Sequence, residues 1–222
     1  LWHKITRENK SMGLRSEILS FVPSSGEPVE LMQVTITNVS AKKVSFIPTA
    51  AIPMYARGAN NLRDHRHVTS LLQRITLHVF GVISKPTLSF DEARQRPNKN
   101  YYFVLGWDEN HNPPEYIYPT QEMFCGESGD LEFPEAIFGN KIPGKEFIQG
   151  KEPMGALRFK EKVLNPGKSS SFILAMGITG KYSDINNIVR KFRSKKDIKI
   201  SLGNTEKFWI TKARAIKIPS AD

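Results

Sequence analysis

The segment Val29–Val39 limits most strongly what this chain can fold into. Its side chains alternate between two faces, and its β-branched run Val34-Thr35-Ile36-Thr37 favours a pleated strand. A turn of small and polar residues follows at 38–43, and Val44–Ala50 predicts a second strand that returns beside the first as a hairpin. The N-terminal part of the chain therefore predicts an antiparallel sheet.

Four later segments also predict strands. Ile75–Ile83 alternates in the same way, Tyr101–Leu105 is rich in aromatic residues, and Phe208–Ile218 has the composition of a final strand or strand pair. Phe172–Ile178 is instead a nearly continuous apolar run, which is typical of a strand that is buried on both faces.

Helical periodicity is clear in one place. Ser183 or Asp184 can cap a helix whose apolar residues recur at helical spacing from Ile185 to Phe192. Between Gly106 and Gly155, glycine and proline interrupt regular structure, which predicts long loops of the kind that carry binding sites. We expect a mainly β fold over residues 1–222: one large antiparallel β-sandwich with one or two short helices and long loops.

The charge of the chain is unevenly distributed. The formal net charge is +10, yet residues 101–150 hold two Lys or Arg against nine Asp or Glu. A basic chain invites a nucleic-acid hypothesis, but the acidic middle and the lack of a nucleic-acid fold signature argue against it. No apolar run approaches the length of about 20 residues that spans a bilayer. We therefore expect neither a nucleic-acid nor a membrane partner.

A single cysteine, Cys125, excludes an intrachain disulfide and cannot form a zinc site alone. A lone thiol is compatible with a reducing cytoplasm, where we expect this protein to act. Its sequence surroundings match no thiol-enzyme signature, so we interpret it as a small, partly buried side chain.

The segment Arg57–His67 is the densest polar cluster. His65 and His67 could bind a metal, although no other histidine lies at a recognisable spacing. A loop held by Arg–Asp pairs is a second interpretation, and a surface for sugar hydroxyls or oxyanions is a third. The candidate side chains of this cluster are Arg57, Asn61, Arg63, Asp64, His65, Arg66 and His67.

The loops after residue 106 offer further candidates. Glycosidases need two carboxyl groups flanking one bond, and sequence alone places no two of the many acids between Asp108 and Glu135 across a sugar. Trp107 could stack on a sugar ring or could instead anchor a loop by burying apolar area. We take Trp107 and Glu127 as candidates for the edge of a carbohydrate site.

Four stretches together resemble the N-terminal β-sandwich of glycoside hydrolase family 94, which contains cellobiose, cellodextrin, chitobiose and 1,2-β-oligoglucan phosphorylases. The stretches are Pro28–Ser40, Phe46–Pro53 running into Asn61–Ser70, Phe124–Ala136, and Leu164–Phe172 continuing to Gly177. The second of them is the most specific, and it resembles the oligoglucan branch more than cellobiose phosphorylase proper.

The resemblance implies a galactose-mutarotase-like supersandwich that is part of a longer multidomain enzyme. In the family it precedes helical linkers and an (α/α)6 barrel, which holds the Asp that acts as general acid. The implied reaction is reversible phosphorolysis of a β-linked gluco-oligosaccharide with inversion, giving glucose 1-phosphate. Inorganic phosphate is the co-substrate and no cofactor is expected, so the second carboxylate of a hydrolase is not needed.

This sequence shows no helical barrel, so the resemblance assigns it no catalytic residue. It implies packing against the catalytic domain of the same protein, a part in homodimer formation, and loops at the edge of the active site. The alternative is a stand-alone carbohydrate-binding module, which would need an exposed aromatic platform within this chain.

Overall fold

A seven-stranded antiparallel sheet forms the centre of the structure, a computed structural model that describes residues 1–56, 66–90, 95–127 and 129–215. In chain order the elements are β1 (Trp2–Asn9), β2 (Leu14–Phe21), β3 (Val29–Asn38), β4 (Val44–Phe46), β5 (Thr49–Pro53), α1 (Arg66–Ser70), β6 (Ile75–His78), β7 (Gly81–Ser84), β8 (Leu88–Phe90), β9 (Gln95–Pro97), β10 (Tyr101–Asp108), β11 (Tyr116–Thr120), α2 (Gln121–Cys125), α3 (Glu135–Phe138), β12 (Pro153–Arg158), β13 (Lys162–Leu164), β14 (Ser169–Thr179), α4 (Tyr182–Lys191) and α5 (Lys195–Ala215).

The strands form one large sheet and three small ones. The large sheet has the order β1-β2-β3-β14-β10-β7-β6, and the three-stranded sheet has the order β11-β12-β5. The pairs β13–β4 and β8–β9 form two short ribbons. At the N-terminal edge, consecutive strands such as β2 and β3 pair with each other. The central pairs β3–β14 and β14–β10 instead join segments that are distant in sequence.

One face of the large sheet is covered by the helices at the C-terminal end. Ile185 and Ile188 of α4 and Ile198 of α5 are fully buried against sheet residues such as Leu31 and Trp107. The apolar spacing of α4 thus places one side of the helix on the sheet, and burying these side chains supplies the driving force.

The three-stranded sheet packs on the opposite face. Leu157 of β12 is fully buried against Val104 of β10 and Leu174 of β14. A further apolar cluster lies beyond it, where α2 and α3 pack against the outer side of β11 and β12. The two packed sheets are the predicted antiparallel sandwich, which confirms the mainly β fold.

Several sequence predictions hold in detail. Val29–Val39 becomes β3, and Ile185–Phe192 lies in or directly after α4. Phe172–Ile178 lies within β14, between β3 and β10, where both faces of the sheet are covered. The continuous apolar run therefore marks a central strand, as expected for a strand with few solvent-facing positions.

The predicted hairpin of Val29–Val39 with Val44–Ala50 is wrong. Pro48 cannot donate to a ladder, and the segment divides there into β4, which pairs with β13, and β5, which pairs with β12. The single strand predicted over Ile75–Ile83 is likewise a tight hairpin of β6 and β7, which pair from Ile75↔Ser84 to His78↔Gly81.

The strand predicted over Phe208–Ile218 is also wrong within the described residues, which form the end of α5. Ser194 and Asp197 cap this helix reciprocally: the Ser194 N–H donates to Asp197 Oδ2 at 2.9 Å, and the Asp197 N–H donates to Ser194 Oγ at 3.3 Å. This cap lies eleven or more residues before Phe208 and Trp209, so the composition around these two residues alone favours a strand.

Two further elements differ from the sequence prediction. Strand β10 continues to Asp108, so Trp107 and Asp108 are strand residues instead of loop residues. The hairpin of β1 and β2 was not anticipated. With five helices in the described residues, the helical part exceeds the one or two short helices predicted. None of these described helices is long and apolar enough to cross a bilayer.

Candidate functional site

An open groove of about 570 Å³, lined by several polar and charged residues, lies beside α2, at the end of α1 and before β12. Three separate parts of the chain meet there: the last residue of α1, the loop around Gly126, and the turn that leads into β12. Its walls are formed by Ser70, Gln121, Glu122, Gly126, Glu127, Gly129, Gly150, Lys151 and Glu152.

Helix α2 positions one wall of the groove. Thr120 caps the helix, since its Oγ1 accepts a hydrogen bond from the Met123 N–H at 3.2 Å. Met123, Phe124 and Cys125 of this helix are buried, whereas Gln121 is half-buried and Glu122 is exposed. Cys125 is fully buried, whereas the sequence analysis predicted a partly buried side chain.

Gly126 ends α2 in a conformation that other residues rarely adopt. Its φ is +81°, and a Cβ there would lie 2.1 Å from the carboxyl group of Glu135. The chain therefore turns sharply, and Glu127 follows on the exposed side. Gln121 Nε2 donates to the Gly129 carbonyl at 3.2 Å and closes the loop.

Among the residues that the structure describes, the side chains lining the groove carry a net negative charge. Glu122, Glu127 and Glu152 contribute three carboxylates, and the ammonium of Lys151 pairs with Glu122 at 2.7 Å. Carboxylates accept hydrogen bonds from hydroxyl groups, while they repel phosphates and other anions. The arrangement is suited to a neutral, hydroxyl-rich ligand.

The structure places only part of the predicted cluster. Arg57, Asn61, Arg63, Asp64 and His65 lie outside the described residues. Arg66 and His67 begin α1, where only their backbone is described, and the same helix ends at Ser70 on the groove. The C-terminal end of the second resembling stretch and Glu127 of the third thus belong to one surface.

Trp107 does not lie on this surface. Its ring is fully buried in the core, with centroids 5.7 Å from Phe80 and 5.6 Å from His111. Because β10 continues through this residue, the side chain points inward and offers no ring face to a sugar. It is a core residue in this structure, which corrects its assignment to the edge of a carbohydrate site.

Two neighbouring acids also have structural partners. Asp108 accepts hydrogen bonds from the backbone of Asn110 and Asn112 and pairs with Lys162 at 3.0 Å. Glu109 accepts from Ser170 Oγ and from the Ser171 N–H, both at 2.9 Å. These contacts tie the 108–112 turn to neighbouring strands.

Other features are less suited to sugar recognition. A cavity of about 490 Å³ between β3, β5, β10 and β14 has mainly apolar walls, including Val29, Met54 and Val104. In the described ranges, no three His, Cys, Asp or Glu side chains are grouped as metal ligands would be.

Sequence reasoning missed Ser70, Lys151 and Glu152 as groove residues. They lie far apart along the chain, and only the sheet topology brings them together. The glycines at 126, 129 and 150 were the available signal, since they interrupt a polar stretch where the backbone must turn.

One structural similarity and one family match relate this chain to known proteins. A polysaccharide lyase of known structure is similar over 84% of this chain at 10% sequence identity, with a TM-score of 0.45, and this chain spans 23% of that lyase. No curated protein matches the sequence. The family model described as "Glycosyl hydrolase 94, supersandwich domain" matches residues 3–195. Since this match covers most of the 222 residues, the chain belongs to the glycosyl hydrolase 94 supersandwich domain family.

Proposed function

We propose that this chain is the supersandwich domain of an inverting β-glucoside phosphorylase that acts in the cytoplasm. In this proposal the catalytic (α/α)6 barrel lies elsewhere in the same protein and binds inorganic phosphate as co-substrate. The supersandwich packs against the barrel and contributes to a homodimer. Its groove forms part of the edge of the site that binds a β-gluco-oligosaccharide. The observation that carries the proposal is the family match over residues 3–195.

Helix α5 supports a docking role. It begins where the family match ends and continues for 21 residues. Its first half is anchored by buried Ile198 and Thr205, whereas Phe208, Trp209 and Ile210 in its second half are each more than 40% exposed. Exposed aromatic residues on a projecting helix are suited to bury against another domain.

The groove supports a role in sugar recognition. Its carboxylates and the amide of Gln121 match the hydroxyl groups of an uncharged oligosaccharide. Inorganic phosphate is less suited to this surface, because its described lining has three carboxylates and one ammonium, which is already paired. We therefore assign the groove to the sugar acceptor and leave the phosphate to the barrel.

The assignment predicts a kinetic effect for Glu127→Gln in the longest natural chain that contains this domain. A hydrogen bond to a charged group contributes about 1.5–3 kcal/mol, so we expect kcat/KM for the oligosaccharide to fall roughly ten-fold or more. The KM for phosphate should change little. Steady-state phosphorolysis with each substrate varied in turn measures both values.

Glu8→Gln is the matched control, because Glu8 lies on the edge strand β1, away from the groove. Its kinetics should equal those of the unmodified enzyme. Unchanged kinetics in Glu127→Gln and in alanine variants of Arg63, Asp64 and His65 would remove this surface from the active site.

A further inference from the structure

Strand β1 is the outermost strand of the large sheet. Among the described residues it pairs on one side only, with β2, from Trp2↔Phe21 to Asn9↔Leu14. In an antiparallel sheet, every second residue of an edge strand directs its backbone N–H and C=O away from the neighbouring strand. The free side of β1 is therefore a template on which one more strand can pair.

Both faces of β1 are open as well as its edge. All eight residues of the strand are exposed, and they include the apolar side chains of Trp2 and Ile5, which are 47% and 45% exposed. The neighbouring strand β2 is instead half-buried over most of its length. Because cross-strand contacts are what stabilise a strand, β1 gains most from a further strand at its free edge.

The charges of β1 fit a second copy of the same strand. Two antiparallel strands related by a twofold axis pair about one central residue, and directly opposed residues lie on the same face. A centre at Lys4 or Arg7 would place like charges opposite each other, and a centre at Ile5 makes no ion pair. A centre at Thr6 places Lys4 opposite Glu8 of the second copy, twice in each dimer.

The register centred on Thr6 continues a charge pattern that is already present within the chain. Glu8 lies opposite Arg15 of β2, and the Lys4 ammonium lies 2.6 Å from a carboxyl oxygen of Glu17. In the joined sheet, Glu8 would lie between Arg15 of its own copy and Lys4 of the second copy. Opposite charges on neighbouring strands stabilise antiparallel pairing, so the existing ladder of charges favours this register.

We propose that two copies of the parent protein associate through β1, antiparallel and centred on Thr6, so that their seven-stranded sheets join into one continuous sheet. The inference rests on the homodimer of the proposed function and names its interface. No residue of β1 lines the groove, so the interface and the proposed sugar site are separate surfaces. Dissociation of the dimer should therefore leave kcat/KM for the oligosaccharide unchanged.

Charge reversal at the two paired positions tests both the interface and its register. In Lys4→Glu, carboxylates oppose each other across the axis, and in Glu8→Lys, ammonium groups do. Either variant alone should raise the dissociation constant of the dimer about ten-fold or more. An equimolar mixture of the two variants restores both ion pairs in the mixed dimer, which should form about as tightly as the unmodified dimer.

Sedimentation velocity of the longest natural chain that contains this domain measures the association, at concentrations from about 1 μM to about 100 μM. Glu146→Lys is the matched control, because it makes the same charge change in an exposed loop between α3 and β12. The control should dimerise like the unmodified protein. The Lys4–Glu17 pair that is altered within the chain is largely exposed, so the variants should remain folded, which circular dichroism measures.

A monomer at every concentration of the unmodified protein would overturn the proposal without any variant. Single variants that dimerise as tightly as the unmodified protein, or a mixture that stays monomeric, would overturn it too. None of these measurements depends on catalysis. A dimer that forms as expected in a protein without phosphorylase activity would contradict the proposed reaction and leave the interface standing, so the two failures are distinguishable.

Discussion

Gly155→Val should lower the free energy of unfolding by about 3 kcal/mol or more, because the side chain would enter the contact between the two sheets. Gly155 lies in β12, opposite Ile52 of β5. A Cβ at this position would lie 2.3 Å from Cβ and 2.4 Å from Cγ1 of Val104, which belongs to the central strand β10. Neither strand can withdraw without opening the core on its other side.

Urea denaturation followed by circular dichroism measures this effect. Gly180→Val is the control, since no atom outside the neighbouring residues lies within 4 Å of a Cβ at Gly180, directly after β14. The control should stay within about 0.5 kcal/mol of the unmodified protein. Equal destabilisation of the two variants would mean that the sheets do not approach each other at Gly155.

Asp108→Ala should lower the free energy of unfolding at pH 7 by about 3 kcal/mol, since it removes a buried carboxylate together with its hydrogen bonds and its ion pair. The carboxyl side chain is 7% exposed and pairs with Lys162, whose own side chain is 21% exposed. Removal also leaves the Asn110 and Asn112 N–H groups without their acceptor. An exposed pair such as Lys4–Glu17 is expected to contribute only about 0–1 kcal/mol, so Glu17→Gln is the control.

The same carboxyl group contributes to acid unfolding. Burial alone would raise the pKa of Asp108, but the Asn112 N–H, the Lys162 ammonium, the Asn112 side chain and the Asn110 N–H together lower it below 3.8. The folded state therefore binds the proton less tightly than the unfolded state. The stabilisation is complete above about pH 3.8 and is lost as the pH falls through the lowered value.

Stability measured from pH 6 to pH 2 separates this contribution from general acid effects. Asp108→Asn should be less stable near pH 6 and should lose less stability on acidification than the unmodified protein. Parallel pH profiles for the two proteins would show that the hydrogen bonds to Asp108 do not stabilise its charged form.

The strands with a complete local pattern could be predicted from sequence. β3 shows its alternation along its whole length, and α4 carries helical spacing. The predicted cap at Ser183 or Asp184 is wrong, because Lys181 is the N-cap and both residues lie in the first turn of the helix. Phe208–Ile210 misled the prediction, because three consecutive apolar residues fit an exposed helix as well as a strand. Only the helix cap at Ser194 and Asp197 distinguishes a helix from a strand here, and it lies more than two helical turns before Phe208.

The candidate site was less predictable than the fold. Glu127 was a candidate from the sequence, whereas Lys151 and Glu152 lie outside the resembling stretches, and Ser70 ends one of them but was not singled out. Their proximity depends on the pairing of β12 with β11 and with β5, of which β5 lies about 100 residues earlier in the chain. Trp107 was instead assigned to the site wrongly. The sequence around an aromatic residue beside a polar loop looks the same whether the strand ends before or after that residue.

The central claim is that this domain serves a phosphorylase whose catalytic acid lies in another part of the protein. Phosphate release from glucose 1-phosphate tests it, with glucose, cellobiose and sophorose as acceptors. The assay is run on this chain alone and on the longest natural chain that contains it. Our account predicts activity only in the longer chain, and the preferred acceptor would identify the linkage formed. Activity in this chain alone, or no activity in either, would contradict it.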